Sequence, residues 1–169
     1  ECEQLLKPGG RLSLVVPDMR FCFDHFGAPS TTGAVLDAWH AGRTRPSPGQ
    51  VFDHLANSVK RNGSIAWSHA ETESTEPTME LLHSFELTAR HWEIAQQPDT
   101  YIDSHCWRFV PESFRLIAAD LVRLGMCKLN IATCSDTIGN EFFCQMTTDA
   151  PMDSYGEDRL FALKSIAQK

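Results

Sequence analysis

Leu6-Lys7-Pro8-Gly9-Gly10-Arg11-Leu12-Ser13-Leu14-Val15-Val16-Pro17-Asp18 is the stretch on which the fold turns. Lys7-Pro8-Gly9-Gly10 stops a helix, because proline cannot continue one and glycine accepts the left-handed conformation that follows it. Glu1 to Leu6 reads as the last turn of that helix. Arg11 to Val16 is then a short leucine- and valine-rich run closed by Pro17-Asp18. A nearly continuous apolar run of strand length predicts a strand covered on both faces, as in a parallel sheet.

Downstream of this strand the pattern changes. Residues 19–103 are rich in histidine and aromatics and punctuated by proline and glycine. Helices are predicted over Thr32 to Ala41, Pro48 to Lys60 and Thr78 to Gln96, the first capped by Thr31 or Thr32. Ala70 to Pro77 reads as a mobile loop. Regularity returns at Pro111, which suits a first helical turn. Phe114, Ile117, Ala118, Leu121 and Val122 recur at helical spacing as an apolar stripe running to about Leu124, where Gly125 ends it. Cys127 to Thr133 and Glu141 to Thr147 read as strands joined by a polar turn, Ser135 to Asn140, and so as a hairpin. Asp149 onward is a polar linker followed by a short helix near Asp158 to Ala167. Helix end, strand, long insertion, helix, strand, turn and strand together describe one edge of a mixed α/β sheet.

Composition narrows the function. The 169 residues carry 15 Lys+Arg against 22 Asp+Glu, a net charge of −7. An acidic chain without a basic run is a poor nucleic-acid binder and lacks a polybasic membrane footprint. No apolar run reaches the ~20 residues of a membrane helix. Glu1-Cys2-Glu3 is not a signal-peptide start, and the first residue is not methionine, so the chain is expected to be a processed product or a fragment. None of the six cysteines forms a C-x-x-C pair. Free buried thiols are the expectation, and with them a reducing, cytoplasmic setting. Seven histidines are scattered without an H-x-x-x-H pair, so no metal site is expected.

The order of elements and the words it carries resemble the C-terminal half of class I S-adenosylmethionine (SAM)-dependent methyltransferases. Leu6-Lys7-Pro8-Gly9-Gly10-Arg11-Leu12 looks like the family's L-K-P-G-G-x-(L/F) segment, which joins the helix after strand four to strand five. Trp107-Arg108-Phe109-x-Pro111-x-Ser113-Phe114 with Leu124-Gly125 resembles the segment leading into strand six. Asn140-Glu141-Phe142-Phe143 resembles strand seven, which inserts antiparallel between five and six. Val16 to Phe26 is similar to a bacterial subgroup of predicted methyltransferases, some of which accompany polysaccharide-building glycosyltransferases.

The resemblance covers residues 1–17 and 104–147. It implies an α/β fold comprising the C-terminal half of a Rossmann-like methyltransferase sheet: strands five, six and seven, the last two a hairpin, with a largely helical insertion after strand five. Residues 1–148 would be a partial methyltransferase domain, 19–103 its insertion or lid, and 149–169 a linker and terminal helix. The family holds SAM through a glycine-rich turn after strand one and an acidic residue ending strand two. No G-x-G occurs here, so the cofactor-binding residues would lie upstream of Glu1. SAM is expected in the full-length protein and not on this chain alone. The implied partner is a small-molecule or glycan methyl acceptor. A non-catalytic interaction or oligomerisation domain, dimerising through an unpaired strand edge, is the alternative. The closing hairpin argues against an NAD-dependent Rossmann enzyme.

Candidate site residues follow from position. Ligands of open α/β sheets gather at the carboxyl ends of strands. Asp18, Arg20, Asp24 and His25 follow the predicted strand, and His25, Asp24 or Asp18 would serve as general base toward an acceptor hydroxyl. The competing reading is that Asp18 caps the next segment and Arg20 pairs with it. Asp53-His54 is a second polar pair for the acceptor, or a helix-surface pair. His105, Trp107 and Arg108 precede the last helix and would reach the same cleft. Trp107 would stack on substrate or simply pack, and Arg108 would grip an anionic acceptor or form a structural ion pair.

Overall fold

The computed structural model describes residues 2–70 and 77–168. The predicted loop Ala70 to Pro77 falls largely outside them. The elements run α1 (Cys2–Leu5), β1 (Leu12–Pro17), α2 (Thr32–His40), α3 (Pro48–Asn57), β2 (Val59–Arg61), β3 (Met79–Leu81), α4 (Phe85–Ala95), α5 (Pro111–Arg123), β4 (Asn130–Cys134), β5 (Glu141–Thr147), α6 (Ser154–Glu157) and α7 (Arg159–Ala167). A 3-10 turn, Met19–Phe21, leaves β1. The fold is mixed α/β, with a small antiparallel sheet.

The sheet order is β1–β5–β4, and β5 is antiparallel to both neighbours. Gly9, at φ 74°, makes the turn from α1 into β1 that a side chain would resist. Leu12, Leu14 and Val16 pair with Met146, Cys144 and Phe142. That face packs on Phe114 of α5, whose ring stands 5.8 Å from the fully buried Phe142. The alternate positions are open, with Val15 56% and Phe143 43% exposed. β1 is therefore not the strand covered on both faces that its composition predicts. Its paired neighbour is antiparallel, and such sheets leave one face to water.

α5 starts as predicted, with Pro111 at its first position and the Ser113 hydroxyl accepting from the Val110 N–H at 3.0 Å. Its other flank is fastened by Asp120, which accepts from Arg159 of α7 at 2.6 Å and from Thr32 of α2 at 2.5 Å. The terminal helix is thus tied to the body rather than trailing from a linker.

The insertion is less helical than predicted. The helix expected to reach Lys60 stops at Asn57, and the chain enters β2. The helix expected from Thr78 starts at Phe85, and Met79–Leu81 is instead β3, paired with β2. The physical reason is the Asn62-Gly63 turn, at φ 49° and 82°, a dipeptide suited to left-handed turn conformations. Asn62 Oδ1 also accepts from the Thr78 N–H at 3.1 Å, which holds the returning segment in register. Two satellite cores, Phe21–Val59–Trp67 and Val51–Leu55–Ala95, hold the insertion together.

Phe142 is the side chain on which the sheet and α5 depend. Phe142→Ala is expected to cost about 3–5 kcal/mol of unfolding free energy in urea. A cost under about 1 kcal/mol would show that α5 does not pack on this sheet.

Candidate functional site

Asp24 leaves the 3-10 turn in a run of tight turns, with His25 N–H donating to Cys22 O at 3.0 Å and Gly27 N–H to Asp24 O at 2.8 Å. The segment is clamped on β2 through Val59 N–H to Phe23 O, and on the chain just after it through Phe23 N–H to Ile65 O. On the other side, Met19 N–H donates to Phe109 O, and Arg108 and Ser30 exchange hydrogen bonds. Segments about 80 residues apart in sequence are thereby laid side by side.

The junction brings three ionisable side chains together. Asp24, 5% exposed, accepts from Arg108 Nε at 2.9 Å and meets His105 Nδ1 at 2.8 Å. A carboxylate only accepts, so His105 donates from Nδ1 and leaves Nε2 with a free lone pair when neutral. Gly27 is required beside this pair. A Cβ there would stand 2.5 Å from Arg108 Cδ and 2.7 Å from its Nε. His54 stacks on His105 with ring centroids 5.8 Å apart.

A cavity of about 520 Å³ opens beside the triad, in the size range of small-molecule sites. Val16 and Pro17, the last residues of β1, line it, so it lies at that strand's carboxyl end. Asp24, Arg43, Arg45 and Gln50 of the insertion form one wall. The run Ser104 to Phe109 forms the other, and Tyr101 of the insertion lines the cavity too.

Burial alone pushes the Asp24 carboxyl up, but the hydrogen bonds from His105 and Arg108 outweigh it and hold it below the usual range. The bond to Asp24 in turn raises His105 above an ordinary histidine, against the opposing effect of burial. Burial lowers His54, and the positive field of His105 adds to that. Burial raises the Cys22 thiol to about 11 and the Cys106 thiol as well, so both stay protonated near neutrality and are poor nucleophiles.

The histidine and aspartate shifts set opposite pH windows. His105, raised in the fold, contributes stability in full below the unfolded value of about 6.5 and loses it as pH rises through its folded value. Asp24, depressed, contributes above its unfolded value of about 3.9 and loses that as pH falls through its folded value.

Of the residues the sequence singled out, Asp24, His105, Trp107 and Arg108 line the cavity, and His54 backs His105 from outside it. Asp18 and Arg20 pair with each other. Asp18, wholly buried, accepts from Arg20 N, Nε and Nη2 and from Thr137 at 2.5 Å, and so caps the 3-10 turn. Its oxygens are occupied, which removes it as a base. His25 is exposed, donates to Arg20 O at 2.7 Å and packs near Trp67, away from the cavity lining. Asp53 is exposed on α3 and does not share the site with His54. Sequence reasoning missed Gly27, Arg43, Arg45, Gln50 and Ser104. The one available signal was Arg43-x-Arg45, two cations two residues apart in an acidic chain.

Among the described residues, no three His, Cys, Asp or Glu side chains converge to hold a metal. No helix there is long and apolar enough to cross a membrane. No protein-family model, curated protein or solved structure matches the chain.

Histidine NMR titration tests the triad. His105 is expected to titrate above about 6.5 and His54 below it. Asp24→Asn should bring His105 down to or below the ordinary value. The reverse order of the two histidines would contradict the geometry.

Proposed function

We propose that this chain supplies the acceptor-side half of a SAM-dependent methyltransferase and that its cavity holds a hydroxyl-bearing small molecule or glycan residue. The observation that carries the reading is the sheet order β1–β5–β4, with the last strand antiparallel between the other two. That is the arrangement the sequence resemblance implies for strands five, seven and six. The cavity's position at the carboxyl end of β1 adds support.

On this reading the SAM cradle is supplied from outside this chain. Gly9, Gly42, Gly63, Gly125 and Gly139 have positive φ, and none stands between a strand end and a helix start. Gly27 does follow β1, but the space over it is filled by Arg108. The cofactor would be held by other residues of the full-length protein and supplies an activated methyl group. The work left to this chain is alignment, exclusion of water and removal of one proton. His105 Nε2 takes the acceptor's hydroxyl proton, and Asp24 fixes the ring and stabilises the imidazolium. The insertion 19–103 forms one wall of the cavity and acts as its lid.

A second reading has its own observation. β1 has no strand on its outer edge among the described residues, and Val15 and Phe143 are exposed on the adjoining face. Such an edge suits strand pairing between two copies in a non-catalytic interaction domain.

The full-length protein, given methyl-labelled SAM and a pool of small molecules and glycans, is expected to transfer label. His105→Gln should slow transfer about 100-fold or more while leaving SAM binding intact. A full-length protein that binds no SAM sinks the first reading. A dimer of this chain by size-exclusion chromatography, without any methyl transfer by the full-length protein, would favour the second.

A further inference from the structure

The chain is acidic, yet its cavity is not. Arg43, Arg45 and Arg108 line it, and Asp24 is the single carboxylate among the described lining residues. That carboxylate is already engaged by Arg108 and His105. Asp103, whose field reaches His105, does not line the space. The cavity therefore carries a positive surplus inside a chain of net charge −7.

The three guanidinium groups are committed to different degrees. Arg45 donates from Nη1 to the backbone oxygens of Gln97 at 2.7 Å and Thr100 at 2.8 Å, which fastens the end of α4. Arg108 gives Asp24 only its Nε, and its two terminal nitrogens make no hydrogen bond among the described residues. Arg43 spends Nη1 on Gln50 Oε1 at 3.2 Å and keeps its other donors. A guanidinium presents five donors in a planar fork that matches an oxyanion.

A second, independent observation points the same way. Ser104 lines the cavity, and its hydroxyl oxygen is buried without a hydrogen-bond partner among the described residues. A buried hydroxyl left unpaired is costly, and a ligand oxygen would satisfy it. Trp107 offers a flat apolar surface on the same wall.

We propose that the cavity is an oxyanion site, in which Arg108, Arg43 and Ser104 hold the carboxylate or phosphate of a sugar-sized ligand against Trp107. This rests on reading the cavity as the acceptor site only in naming the ligand an acceptor. Arg108 then has two duties, with Nε securing Asp24 and its terminal nitrogens gripping the anion. Selectivity for an acidic over a neutral sugar follows from the same residues that hold the base.

The test uses this chain without SAM and follows the Trp107 indole and His105 resonances by NMR. Glucuronate and glucose 6-phosphate are the two probes, glucose is the neutral control, and inorganic phosphate tests the anion alone. At least one anionic sugar is expected to bind with a Kd of about 1 mM or below. Comparing the two shows whether carboxylate or phosphate is preferred. Glucose should leave the resonances in place, inorganic phosphate should shift them at higher concentration, and added salt should weaken every anion. Arg43→Ala, an exposed change away from the Asp24 pair, should weaken binding about tenfold. Glucose binding as well as glucuronate, silence from every anion, or unchanged affinity in Arg43→Ala would each overturn the proposal. Anion binding without methyl transfer by the full-length protein would remove the methyltransferase reading alone, and transfer to a neutral acceptor would remove this one alone.

Discussion

A carboxylate buried where Asp24 sits cannot stand by itself. Stripping it of water is so costly that it must be neutralised by partners, and the chain provides two from a distant segment, Arg108 and His105. The rest of the site is arranged around that demand. Gly27 leaves room for the arginine stem, the exchange between Ser30 and Arg108 aligns the two backbones, and the 3-10 turn aims Asp24 inward. The cavity is what remains between the segments once they are pinned.

The same device recurs. Asp18 gathers Arg20 and Thr137, tying the exit of β1 to the β4–β5 turn. Asp120 gathers Arg159 and Thr32, tying α7 and α2 to α5. Continuous apolar packing is concentrated between α5 and one face of the sheet, while the insertion has only small cores. Buried ion pairs specify how such pieces meet more than they stabilise them, since much of the Coulomb gain offsets lost hydration. The function-bearing residues thus sit on well-defined but locally lean structure, as positioned loops often do.

The elements that carry their own signal were legible. Pro111, the spaced apolar positions and Gly125 place α5 to within a residue, and Glu141 to Thr147 is β5 as read. Where the sequence misled, a local preference was overridden or overlooked. The leucine–valine run of β1 reads as buried on both faces, but its antiparallel pairing leaves one face open. The Asn62-Gly63 turn is a short signal beside two helix-like runs, and β2 and β3 therefore read as helix ends in the sequence. Position after β1 put Asp18, Arg20, Asp24 and His25 in one group. Only the three-dimensional path separates them, turning Asp24 into the cavity while Asp18 caps a turn and His25 faces solvent. No pattern links Asp24 to Arg108 across the insertion, and the need for Gly27 shows only when the arginine lies over it.

The claim that Asp24 and Arg108 form one buried unit organising the site is tested most directly by a double-mutant cycle. Unfolding free energies of Asp24→Asn, Arg108→Met and the double variant would be measured at neutral pH. Each single change is expected to cost about 3 kcal/mol, since it orphans a buried charge. The double variant should fall short of the sum by at least about 1.5 kcal/mol. Effects that add to within about 0.5 kcal/mol would mean that the two residues do not act together, and the account of the site built on them would be wrong.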